Sequence, residues 1–77
     1  MSLCELDYLE IYDLTEKELS KSPIKELKNA VIQFTSELKE VGGYSSFTNN
    51  VNYTKKELTV ILSDCIYELY EIEKMNE

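Results

Sequence analysis

SPIKELKNAVIQFTSELKEVGG, residues 22–43, is the stretch on which the fold turns. Ser22 is an N-cap residue type, whose hydroxyl can accept from the open N–H groups of a first helical turn. Pro23 suits the first helical position, where its missing N–H does no harm. Apolar residues then recur at Ile24, Leu27, Val31, Phe34, Leu38 and Val41. Steps that alternate between three and four residues form the stripe of an amphipathic helix with a heptad seam. Ala30 and Ile32 widen the stripe. Gly42 and Gly43 end it, because glycine takes up the left-handed capping conformation cheaply. The spacing predicts a helix over 23–41, about 28 Å long.

Toward the C-terminus, residues 44–53 (YSSFTNNVNY) are mostly small, polar turn formers, with Tyr44, Phe47, Val51 and Tyr53 as candidate pins. Thr54-Lys55-Lys56-Glu57 is a capping box and opens a second long helix, over 55–75. Leu58, Leu62, Cys65, Leu69 and Ile72 form its stripe, and Ile61, Ile66, Tyr67 and Tyr70 add a second apolar flank. One partner helix cannot cover both flanks. The N-terminal segment, a second subunit, or both must supply the rest.

The N-terminal segment, residues 1–22, is less periodic. Ser2-Leu3-Cys4-Glu5 and Thr15-Glu16-Lys17-Glu18 both fit the capping box. From Leu6 to Leu14 the apolar residues go all round a helical wheel. Leu6, Tyr8, Tyr12 and Leu14 share the alternation of a strand, with Glu10 as the exception. The capping boxes favour a helix over about 3–13 and a short one over 16–21. The expected fold is mainly α, one domain over 1–77. At its core is an antiparallel pair of long helices with the N-terminal segment packed across them. A homodimer is expected, because a chain this short buries only about 60% of its unfolded surface and the last helix is apolar on two flanks.

Composition narrows the chemistry. Among 77 residues there are 8 Lys, no Arg, no His and 15 acids, for a net charge of −7. No stretch approaches the roughly 18 apolar residues of a membrane helix. Glu5 and Asp7 lie in an N-terminus without a basic start, which does not read as a signal peptide. Cys4 and Cys65 form no C-x-x-C pair, and together with the absent export signal they suit a reducing cytoplasm. Cys65 sits on the apolar stripe and reads as a small buried hydrophobe. Without His the commonest general base and metal ligand is missing, and without Arg so is bidentate capture of phosphate. Two adjacent glycines make no phosphate-cradling loop, and no segment has the spacing of a calcium loop. No catalytic, metal or cofactor set emerges, so a binding protein is expected rather than an enzyme.

The acid is unevenly spread. Residues 1–20 carry a net −5, residues 21–43 a net +1 and residues 44–77 a net −3. The first group holds Glu5, Asp7, Glu10, Asp13, Glu16 and Glu18. On the last helix Asp64, Glu68 and Glu71 follow one face, with Glu57 seven residues before Asp64. Solvated helix faces that keep a small protein soluble are one reading. A surface for a basic partner is the other: acids on a rigid scaffold can imitate DNA phosphates, and their field steers association with a DNA-binding protein. Direct contact with nucleic acid is disfavoured, since phosphates would repel the chain.

In length, acidity and a Lys/Asn/Ile/Tyr bias typical of AT-rich genomes, the chain resembles small early proteins by which phages take over Gram-positive hosts. That resemblance implies an acidic DNA mimic, such as the inhibitors of uracil-DNA glycosylase or of the nucleoid protein HU. The HU type fits best, because a symmetric acidic dimer suits a symmetric basic one. Separately, Leu62-Ser63-Asp64-Cys65-Ile66-Tyr67-Glu68-Leu69 is similar to the Ser-Gln-Glu-Leu-Asp signature of the helical-hairpin aspartyl-phosphate phosphatases. Ser63 and Ile66 fall at its Ser and Leu positions, while Tyr67 stands where that family has its acid and cannot do a carboxylate's work. That resemblance implies a catalytically dead binder rather than a phosphatase. The competing class of function is a helical-hairpin binding module of the antitoxin, immunity or kinase/response-regulator type, whose exposed apolar strip, with Tyr8, Tyr12, Tyr67 or Tyr70 as anchors, would carry the energy.

Overall fold

The computed structural model describes residues 7–14 and 16–75. Every regular element among them is an α-helix: α1 Tyr8–Tyr12, α2 Glu16–Leu19, α3 Ile24–Glu40 and α4 Lys55–Met75. The mainly α class stands, and residues 8–12 are helical rather than extended.

Local chemistry sets the helix ends. Asp7 has extended backbone, and its carboxylate accepts the Glu10 N–H at 2.9 Å, which starts α1 there. Asp13 closes it after five residues, so the described helix is shorter than the 3–13 expected; the box at Ser2 and the cap at Thr15 lie outside the described residues. α2 ends at Leu19, before the expected 21, in a turn where Ser22 N–H donates to the Leu19 carbonyl at 3.1 Å. That turn holds Ser22, and the cap of α3 moves one residue on. Pro23, at ψ 148°, is the N-cap, with no side-chain cap bond, and its carbonyl accepts from Leu27 N–H at 3.1 Å.

The glycines behave as expected. Gly42 has φ +83°, Gly42 N–H donates to the Lys39 carbonyl and Gly43 N–H to the Leu38 carbonyl at 2.8 Å. This pair of bonds is the Schellman arrangement, which satisfies the last carbonyls of a helix. At the start of α4 the capping box forms in both directions: Thr54 N–H to Glu57 Oε1 at 2.9 Å, and Glu57 N–H to Thr54 Oγ1 at 3.2 Å.

The two long helices are parallel, not antiparallel. Ile24, Lys25 and Lys28 at the start of α3 line one cavity with Leu58 at the start of α4. Thr35 Oγ1 lies 3.8 Å from Cys65 Sγ near the middle of both. Gly43, just past α3, sits against Leu38 and Ile72 near the end of α4. Both residue numbers rise together, as only parallel helices allow. The intervening segment makes the return trip. α3 is about 25 Å long, and a dozen extended residues reach about 36–40 Å.

The connection is tied down on its way back. Ser45 Oγ lies 3.0 Å from Thr35 Oγ1 and 3.1 Å from Cys65 Sγ, and accepts the Phe47 N–H at 3.3 Å. Phe47 is buried and packs on Tyr53 at 5.5 Å between ring centroids. The Tyr53 hydroxyl accepts from Thr48 N–H and donates to the Ser46 carbonyl. Phe47 and Tyr53 are therefore pins. Tyr44 and Val51, expected to act likewise, are exposed, Tyr44 at 76%.

The N-terminal segment supplies the antiparallel neighbour. Tyr12 stacks on Tyr70, Leu14 lines a cavity with Ser63 and Ile66, and Lys17 and Ser20 lie beside Lys55, Lys56 and Thr59. As one number rises the other falls. Of the second apolar flank of α4, Ile66 and Tyr70 are covered within one chain by α1 and Ile61 is buried beside the connection, while Tyr67 stays exposed. The core joins Ile11 and Leu19 to Leu27, Ala30, Val31, Phe34 and Leu38 of α3, to Phe47, and to Leu58, Ile61, Leu62, Cys65, Ile66 and Leu69 of α4. Ile24, Ile32 and Val41, read as part of the α3 stripe, are exposed. Among the described residues no buried side-chain polar atom lacks a hydrogen bond, and no helix is long and apolar enough to cross a membrane.

Candidate functional site

Parallel packing sorts the charge by height. The Thr35–Cys65 level divides the molecule. On the C-terminal side of it, residues 7–13, 35–46 and 64–75 carry nine acids and two lysines. On the other side, residues 14–34 and 47–63 carry four acids and six lysines. The dipoles of α3 and α4 point the same way, with both N-termini at the lysine end. A helix end is stabilised by the opposite charge, lysines at the C-terminus and acids at the N-terminus. The terminal turns follow this rule in part, with Glu26 and Glu57 in the first turns and Lys39 and Lys74 in the last, so the excess of acid lies mostly along the helix faces.

The expected partner-binding acids divide into three groups. Asp7, Glu10 and Asp13 are exposed on and around α1, with Asp7 engaged as its cap. Asp64 and Glu71 are exposed and Glu68 is half-buried along α4. Glu16 and Glu18 belong to α2, whose Lys17 and Ser20 lie beside Lys55, Lys56 and Thr59 at the start of α4, so that helix is not part of the acidic end. Glu5 lies outside the described residues. Glu37, Glu40 and Glu73 complete the acidic end and were not anticipated. Their signal was the length of the connection: an antiparallel pair needs only about two to eight linking residues.

A cluster of aromatic rings sits among these acids. Tyr12 stacks on Tyr70 at 4.4 Å and 16°, and on Tyr67 at 6.2 Å and 26°. Tyr67 is 57% exposed and Tyr12 40%. Lys74 Nζ lies 5.9 Å from the Tyr70 centroid. Of the four tyrosines named as candidate anchors, three thus come together on one surface, because α1 runs antiparallel to the end of α4.

The phosphatase-like stretch does not converge. Ser63 lines a cavity with Ile11, Tyr12 and Leu14 on the α1 flank. Asp64 lines another with Tyr44 and Ser45 beside the connection. Cys65 is 2% exposed, a packed thiol as its place on the stripe implied. No group of three metal-ligating side chains occurs among the described residues. No protein-family model, curated protein or solved structure matches the chain.

Proposed function

We propose that this protein is an acidic binding inhibitor that imitates DNA and occupies the basic surface of a DNA-binding protein, with an HU-like nucleoid protein as the partner type. The observation that supports it is the gathering of nine acids and two lysines at one end of a rigid scaffold. Asp64, Glu68 and Glu71 follow one another at steps of four and three along α4, where like charges repel mildly, and a fold shaped only for stability would intersperse lysines there. The protein acts in a bacterial cytoplasm, as a phage-encoded takeover factor, without cofactor, metal or catalysis, and without touching DNA or membrane. Two copies side by side would suit a two-fold basic partner. With most of both flanks of α4 covered within one chain, such pairing falls to exposed side chains, not to the core. Competition tests the reading: the protein should displace duplex DNA from its partner, and the complex should weaken steeply between about 0.1 and 1 M salt as the Debye length falls from about 10 to about 3 Å. A complex that survives 1 M salt and still holds DNA would sink it.

The runner-up is a helical regulatory binder of the antitoxin, immunity or response-regulator type. The exposed Tyr12–Tyr67–Tyr70 stack favours it, since aromatic anchors carry much of the energy of ordinary interfaces. Little salt dependence, with losses concentrated at those tyrosines, would select it.

A further inference from the structure

Tyr67 lies between two carboxylates of its own helix. Asp64 precedes it by three residues and Glu71 follows by four, so one exposed acid stands one turn away on either side of the ring. Tyr12 packs against Tyr67 from α1. Stacking on Tyr70 holds the Tyr12 ring in place, so the aromatic surface is already ordered before anything binds. The chain itself shows what chemistry suits these rings. Lys74 lies over Tyr70 at 5.9 Å, one turn along the same helix. No lysine of α4 stands at the corresponding place beside Tyr67, whose ring is left 57% exposed.

We propose that the Tyr12–Tyr67 surface, bordered by Asp64 and Glu71, is a receptor for arginine side chains on a basic partner protein. A guanidinium plane stacks on the face of an aromatic ring while its N–H groups reach carboxylates at the edge. An ammonium of lysine gains the charge but not the stacking, so arginine is preferred. The proposal rests on the acidic-inhibitor reading and refines it: the acids draw the partner in, and the tyrosines select what lands.

Octa-arginine and octa-lysine peptides serve as probes, with affinity measured at several salt concentrations and ring signals followed by NMR. Octa-arginine should bind about two- to fivefold more tightly than octa-lysine, the range expected of exposed cation–π contacts. It should move the Tyr67 and Tyr12 ring resonances. Tyr67→Leu should erase the preference while leaving salt-sensitive binding of both peptides, and Tyr67→Phe should keep it. Tyr67 is exposed, so the helical circular-dichroism signal and melting point of these variants should match the parent and exclude misfolding. Equal affinity for the two peptides, or a preference untouched by Tyr67→Leu, overturns the receptor but leaves the acidic-inhibitor reading. Failure of both peptides to bind at low salt overturns both.

Discussion

Thr35 and Cys65 stand level with each other on two parallel helices, Oγ1 and Sγ 3.8 Å apart, with the Ser45 hydroxyl touching both. These three residues fix the register of α3 on α4 and anchor the returning connection at its midpoint. Ser45→Ala should leave Thr35 without its hydroxyl partner in a part-buried site and cost about 1–3 kcal/mol. A urea midpoint unchanged within error would show that the contact does not hold the loop.

Packing at the far end of the pair predicts a second effect. A Cβ on Gly43 would overlap the Leu38 side chain and stand 3.0 Å from Ile72 Cδ1. Gly43→Ala should destabilise by about 1–3 kcal/mol through overpacking. Gly42→Ala meets open space and suffers only from its φ of +83°, at about 1–2 kcal/mol. Adding Leu38→Val should recover part of the Gly43→Ala loss and none of the Gly42→Ala loss, as melting curves of the four proteins would reveal.

Core truncations should report on both flanks of α4. Phe34 is 1% exposed, and Phe34→Ala should cost about 3–5 kcal/mol, enough to unfold a domain this small. Ile11 is 2% exposed and joins α1 to the core, so Ile11→Ala should cost about 2–5 kcal/mol. If α1 were a loose arm, the second value would fall near zero.

Charge reversal should separate stability from function. Glu71 and Glu73 lie in the last turns of α4, where lysine suits the helix dipole better. Glu71→Lys with Glu73→Lys should leave stability unchanged or raise it by about 0.3–1 kcal/mol per site. The same pair should slow association with a basic partner more than it speeds dissociation, because steering acts on encounter. A lower melting point would count against the dipole argument, and an unaffected association rate against steering.

The sequence by itself determined the helices of this protein, because capping and periodicity are local. Thr54 and Glu57 are three residues apart and must meet if a helix starts there; Gly42 and Gly43 stop α3 through their own backbone freedom. Leu27, Phe34, Leu62 and Leu69 were legible as core from spacing alone. Direction was not. Two amphipathic helices present the same stripe whichever way they run, and only the path of residues 41–54, pinned by Ser45, Phe47 and Tyr53, makes them parallel. Tertiary structure therefore decided what lies beside what. It joined Glu37 and Glu40 to the acids of α4, set α2 beside the lysines that open α4, and stacked Tyr12 of α1 on two rings more than fifty residues away. A charge or a ring carries no local signal of its distant neighbours; those are set by chain reversal and by which flank of α4 each segment covers.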